Sequence, residues 1–197
     1  MYSALRTDLL VAHLAAAAVV AHVLESALPG LGPWFKPGFA NMFALVALFQ
    51  VGWRASVGVS LIRVVVGSLV GGSFLSPAFF LSFAGAMGAV LVMGMAWRLS
   101  GGRLGPVGIS LLAALAHMAA QVGMAWLLIF GHTGIFMALP WFLAGSWITG
   151  IVNGVLAFSI LQYLEKSNEH RGASTQSNLY SSKSCSSRAR RMSMMKS

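Results

Sequence analysis

Acidic side chains are nearly absent from this chain: of its 197 residues four are Asp or Glu, against thirteen Lys or Arg. Asp8 is the one aspartate, and no carboxylate lies between Glu25 and Glu165. A hard cation that bridges a diphosphate is held by clustered carboxylate oxygens, so prenyl transfer on an Mg²⁺ pair is not expected of this chain alone. Cysteine is as scarce. Cys185 stands by itself, which excludes an internal disulfide and a cysteine-based metal cluster. His13 and His22 are nine residues apart, on opposite faces of a helix, and cannot share a metal. No phosphate-cradling G-x-x-x-x-G-K-[ST] run is present, so no ATPase is built in. Neither a G-x-S-x-G elbow nor a Ser/His/Asp set within the apolar runs can be assembled. The sequence therefore predicts a non-catalytic protein with no cofactor, no metal and no nucleic-acid partner.

Charge as a whole is also short, 9% of residues, where a soluble domain carries about 25%. What fills the chain is apolar, 57%. Pro, Gly and charge break it into six segments, about 8–28, 39–52, 55–72, 78–98, 107–130 and 140–164. Most are long enough to cross a hydrocarbon core about 30 Å thick, and too uniformly apolar for barrel strands. The first, with Arg6 ahead of it, has a signal-peptide look, but Glu25 intrudes near the would-be cleavage site and further spans follow. The second is short, about 20 Å at 1.5 Å per residue, and reads as either a short span or a re-entrant helix. Charge placement favours a crossing, because cytoplasmic loops carry the excess of Lys and Arg. With six crossings and the N-terminus inside, Arg6, Arg54, Arg98, Arg103, Lys166 and the tail all face the cytoplasm, and Lys36 alone faces out. Trp34, Trp53, Trp97 and Trp141 sit near span ends, where amphipathic rings favour the headgroup level.

The expected fold is thus an all-α membrane protein, a six-transmembrane-helix bundle over residues 1–165, multi-pass in the inner (cytoplasmic) membrane with both termini cytoplasmic. Residues 166–197 lose apolar periodicity to Ser, Asn, Lys and Arg, which predicts a disordered basic tail. The tail reads either as attracted to anionic membrane lipid or as a solvated segment that fixes orientation.

Polar residues in the spans fall on single faces at helical spacing. Ser56, Ser60, Arg63 and Gly67 share one stripe; Ser110, Ala114, His117 and Gln121 a second; Ser146, Gly150, Asn153 and Ala157 a third; His22 and Glu25 are neighbours three apart. Such stripes belong inside the bundle. Small residues there serve close helix packing, as do the pairs Ala12/Ala16 and Ala17/Ala21, which suit an inner seam or a partner helix. Arg63 stands out, since a mid-span arginine costs about 2.5–3.5 kcal/mol even on the lenient insertion scale. It has three readings: an ion pair with Glu25, a contact to an anionic or polar-headed ligand, or snorkelling to an interface. His117 with Gln121 reads as a ligand-reading pair or as a histidine satisfied by a neighbouring helix.

Four strings carry a resemblance. They are Pro33-Trp-Phe-Lys-Pro-Gly-Phe-Ala-Asn41 following Glu25-Ser-Ala-Leu-Pro29, then Ser60-Leu-Ile-Arg-Val-Val-Val-Gly-Ser-Leu69, Leu81-Ser-Phe-Ala-Gly-Ala86 and Ala116-His-Met-Ala-Ala-Gln121. Over roughly residues 10–164 the chain resembles the Gx transporter family, also labelled heptaprenyl diphosphate synthase component I. The most specific pieces are the Lys-x-Gly-x-Ala-Asn loop and the Ser-Leu-x-Arg-x-x-x-Gly-Ser span. That family is similar in layout to the substrate-binding S components of energy-coupling-factor transporters. The resemblance implies a small-molecule ligand held by a six-helix bundle and a coupling subunit with paired ATPases as partner. It makes Glu25, Lys36, Asn41, Arg63, His117, Gln121 and Asn153 the candidate substrate-binding or interhelical-lock residues. The synthase half of the label implies instead an accessory component beside a soluble prenyl diphosphate synthase, in isoprenoid-quinone synthesis. A third reading is a membrane anchor for a redox or cofactor-handling complex.

Overall fold

The apolar segments become six α-helices in a computed structural model, which describes the backbone of residues 2–27, 38–130, 137 and 139–194. Side chains are described at 5, 7–25, 38–129, 137 and 139–167. In chain order these are α1 (Tyr2–Ala27), α2 (Ala40–Gln50), α3 (Trp53–Val70), α4 (Pro77–Ser100), α5 (Pro106–Ala125, running on into a π-helical turn Trp126–Phe130) and α6 (Leu139–Met194). Five of them contain stretches long and apolar enough to cross a membrane: Thr7–Glu25, Trp53–Val70, Pro77–Ser100, Pro106–Ile129 and Leu139–Ser167.

The breaks between helices follow from local chemistry. Ser76 caps α4, its hydroxyl accepting from the Phe79 N–H at 3.4 Å, with Pro77 at the first helical position, where a missing N–H costs nothing. Gly101 ends the same helix at φ 54°, the left-handed stop that glycine takes without a Cβ penalty. Pro106 then opens α5 behind Gly105. Between α2 and α3 the turn is only Val51 and Gly52, and Gly52 sits at φ 120°, a conformation open to glycine.

Helix α2 is shorter than the 39–52 segment the sequence predicts: eleven residues, about 16 Å of rise. That is roughly half the hydrocarbon thickness. Its chain from Ala44 to Leu48 is buried without interruption, so the helix is enclosed on all sides by protein. A short helix is tolerable at membrane depth when other helices, not lipid, surround its ends. It packs on α1 and α3 and touches α4 and α5, while α1 lies along α3 and α4 along α5.

The side chains are arranged polar inward and apolar outward. His22, Glu25, Ser56, Ser60, Arg63, Ser110, Ser146 and Asn153 are all buried, whereas Leu9, Val20, Leu24, Ile62, Leu91, Met95, Ile148 and Val155 are exposed. In water this order would be reversed; in hydrocarbon it is the stable one. The helices approach closely at small residues. A Cβ added at Gly154 would stand 2.7 Å from the Val107 Cα, and one at Gly150 3.1 Å from the Leu111 Cα, so α6 lies with its backbone against α5. The Ser110 hydroxyl seals that seam by donating to the Gly150 carbonyl at 2.8 Å.

The chain divides into two compact units, Met1–Ser159 and Ile160–Ser197. In the second, the helical backbone of α6 continues to Met194, where composition predicts an unstructured tail, and its side chains beyond 167 lie outside the described residues.

Candidate functional site

Two groups of polar side chains meet in the interior, joined by the N-terminus of α2. The first lies between α1 and α3. Arg63, on the inward stripe of α3, is 3% exposed, so its head does not snorkel to a membrane surface. It lies within electrostatic reach of the Glu25 carboxylate, itself buried on α1. One turn earlier on α1 the His22 ring lies over Gly67 of α3, so close that a Cβ at Gly67 would overlap it. Along the same α3 stripe the hydroxyls of Ser56 and Ser60 and the Arg63 Nε are buried with no hydrogen-bond partner among the described residues.

Glu25 has a second task. Its Oε1 accepts the backbone N–H of Ala40 at 3.2 Å, at the start of α2, where orphan N–H groups and the helix dipole favour a negative charge. One carboxylate thus faces both a guanidinium and a helix N-terminus, and this compensates its burial.

The second group lies on the other side of that N-terminus. Gly38, at φ 69°, turns the chain into α2, a backbone angle that glycine takes freely. Its carbonyl accepts from the Asn41 N–H at 2.8 Å and from the Asn153 Nδ2 at 3.1 Å, so α6 clasps the turn. Around this clasp is a partly open cavity whose enclosed space, about 20 Å³, has room for about one water. The start of α2 lines it with Gly38 and Asn41. Helix α5 contributes Ala114, His117 and Met118, and α6 contributes Ser146, Thr149 and Asn153. His117 and Asn153 lie near the middle of the apolar stretches Pro106–Ile129 and Leu139–Ser167.

Of the seven residues singled out in the sequence, the six that are described do not all line one cavity. Asn41, His117 and Asn153 come together at the cavity, and Glu25 with Arg63 forms a separate buried charge cluster. Gln121 packs beside His117 against Gly85 of α4, where a Cβ would stand 2.8 Å from the Gln121 Cγ, and does not line the cavity. Lys36 lies outside the described residues. Sequence reading passed over Gly38, Ser146 and Thr149 as site residues. Ser146 shares the α6 stripe with Asn153, Thr149 is three residues on, and Gly38 is the glycine of the Lys-x-Gly-x-Ala-Asn loop, so the signal was there. Among the described residues no three His, Cys, Asp or Glu side chains gather as a metal set.

Residues 14–160, the helical core that holds both clusters, match the family model of heptaprenyl diphosphate synthase component I. The chain belongs to that family. No curated protein and no solved structure matches it significantly. In this component I family member the strings that carry the resemblance meet in space. Gly85, of the Leu81–Ala86 string, receives His117 and Gln121 of the Ala116–Gln121 string, and Ala40, of the loop string, is capped by Glu25.

Proposed function

We propose that this chain is the membrane-embedded, non-catalytic component that works beside a separate prenyl diphosphate synthase in isoprenoid-quinone synthesis. The match to the component I family along 14–160 carries the reading. The shortage of carboxylates supports the division of labour: Asp8, Glu25, Glu165 and Glu169 are the only acids in the chain, too few and too far apart in sequence to bridge Mg²⁺ and a diphosphate. Chemistry on the diphosphate belongs to the partner, and the bundle supplies a place in the membrane for a molecule with a long apolar tail. The membrane is the inner, cytoplasmic one, with both termini on the cytoplasmic side, in keeping with the positions of Arg54, Arg98, Arg103 and Lys166.

Affinity purification of the full chain in mild detergent from its own cells tests this. The expected result is retention of a soluble prenyl diphosphate synthase, with long-chain product formation rising when the two are combined in liposomes. Recovery of a membrane coupling subunit with ATPases, and no synthase, would replace it with a second reading, a substrate-binding subunit of a transporter. The observation that favours this second reading is the polar cavity between α2, α5 and α6.

A further inference from the structure

On the wall of the small cavity between α2, α5 and α6, three polar atoms are left over by the contacts that build it. The Asn41 Oδ1, the Asn153 Oδ1 and the His117 Nδ1 are each buried with no hydrogen-bond partner among the described residues, and their side chains line the same enclosed space. Each comes from a different helix. All three side chains sit in packed surroundings. Asn153 gives its Nδ2 proton to the Gly38 carbonyl at 3.1 Å, which sets the orientation of the amide and makes Oδ1 an acceptor. His117 packs its Cε1 and Nε2 atoms against Gly85 of α4. Neither hydroxyl on the wall can donate to the amide oxygens, because Ser146 gives its proton to the Phe142 carbonyl at 2.8 Å and Thr149 gives its own to the Ser146 carbonyl at 3.2 Å. A buried polar atom without a partner is costly, and three around one space call for a shared partner.

The space sets the size of that partner. About 20 Å³ is enclosed, enough for one water, which needs about 10–15 Å³, and far below the roughly 300 Å³ at which pockets for organic ligands begin. The donors and acceptors set its kind. An anion is repelled by two amide oxygens that have no proton to offer it. A metal cation would stand beside the positive end of the α2 dipole, with no carboxylate among the described lining residues to balance it. A water is neutral and has two protons for the two amide oxygens and lone pairs for a ring N–H, so it completes all three atoms at once. Three bonds is the usual complement of a buried water.

We infer that the cavity holds one structural water, which donates to the Asn41 Oδ1 and the Asn153 Oδ1, accepts from the His117 Nδ1–H, and so joins α2, α5 and α6 at the clasp on Gly38. The His117 proton is then on Nδ1, a tautomer set by the water. The inference holds whichever partner the chain works with, because it concerns the interior of this chain alone.

Solid-state NMR of the full chain in liposomes, labelled with nitrogen-15 at histidine, tests it, with His117→Gln assigning the resonance by its loss. The expected result is a His117 ring protonated at Nδ1, with a cross-peak from that proton to a water that persists when bulk water is filtered out. Asn41→Leu keeps the side-chain volume, removes one acceptor and should remove most of the cross-peak. Lys36→Met should leave it unchanged, as should replacement of sodium in the buffer by N-methylglucamine. The inference is overturned if the unaltered chain shows no such cross-peak, if the ring is protonated at Nε2 alone, or if folded Asn41→Leu keeps the full signal. It is equally overturned if the signal depends on Lys36, which makes the partner an ammonium of this chain, or on sodium, which makes it a cation. The unaltered chain, measured with and without sodium, decides the matter even where a variant fails to fold.

Discussion

Glu25 is the last acidic side chain before Glu165, and it is shared: the Ala40 N–H and the Arg63 guanidinium both draw on it. Removing a single member of such a buried arrangement leaves a charge with no counter-charge, which costs about 3–5 kcal/mol. Arg63→Ala is therefore expected to destabilise the bundle by about that much, measured by chemical unfolding in mixed micelles. The double variant Arg63→Met with Glu25→Gln removes both charges, lets an amide carbonyl still accept from Ala40, and should recover most of the loss. If Arg63→Ala folds as stably as the parent, the pair does not hold α1 to α3. At Gly67 the issue is space. The His22 ring occupies the position of a Cβ, so Gly67→Ala must displace a buried imidazole, at a cost of about 1–3 kcal/mol. The same unfolding experiment reads it, and Gly58→Ala on the same helix, where no atom lies within 4 Å of the added carbon, is the control expected to change little.

Among the elements, α2 and the α5–α6 seam decide whether there is a cavity. Helix α2 by itself rises through about half the hydrocarbon thickness, and its N-terminus is held from both sides, by Glu25 of α1 and by Asn153 of α6. Helix α6 can reach Gly38 only because Gly150 and Gly154 let it lie against the backbone of α5. Gly154→Val should push α6 off Val107, lengthen the Ser110–Gly150 hydrogen bond and draw Asn153 away from Gly38. The expected outcome is a loss of about 1–3 kcal/mol together with loss of the water contact at His117. Unfolding and the His117 nitrogen-15 spectrum check the two parts separately. A retained water contact in a destabilised variant would mean that the clasp does not need the close seam.

For the molecule as a whole, the polar-in, apolar-out arrangement and the distribution of Lys and Arg bear on its placement in the membrane. Six helices with the short α2 counted as a crossing put both termini on one side; without that crossing they lie on opposite sides. Cys185 is the only cysteine in the chain and makes the distinction measurable on the natural sequence. Our proposed orientation predicts that a membrane-impermeant maleimide added to intact cells leaves Cys185 unmodified and labels it once the cytoplasmic membrane is opened. Labelling in intact cells would put the tail outside and leave α2 as a helix that does not cross.

The helical class, the spans and their inward faces were legible in the residues, because lipid imposes a single rule on every segment: polar groups turn away from it. Periodicity alone therefore put Arg63, His117 and Asn153 on inward stripes; α3 and α6 bury Arg63 and Asn153, and His117 on α5 is half-buried. Periodicity orients a residue within its own helix and says nothing of which helix stands opposite. For that reason the tertiary structure alone divided the candidate residues, setting Arg63 with Glu25 and gathering Asn41, His117 and Asn153 with Gly38, Ser146 and Thr149. It also gave the near-absence of acids its physical meaning. Glu25, the last carboxylate before Glu165, is already engaged by a helix N-terminus and an arginine, and the described residues that line the cavity beside it are uncharged or neutral-polar rather than acidic.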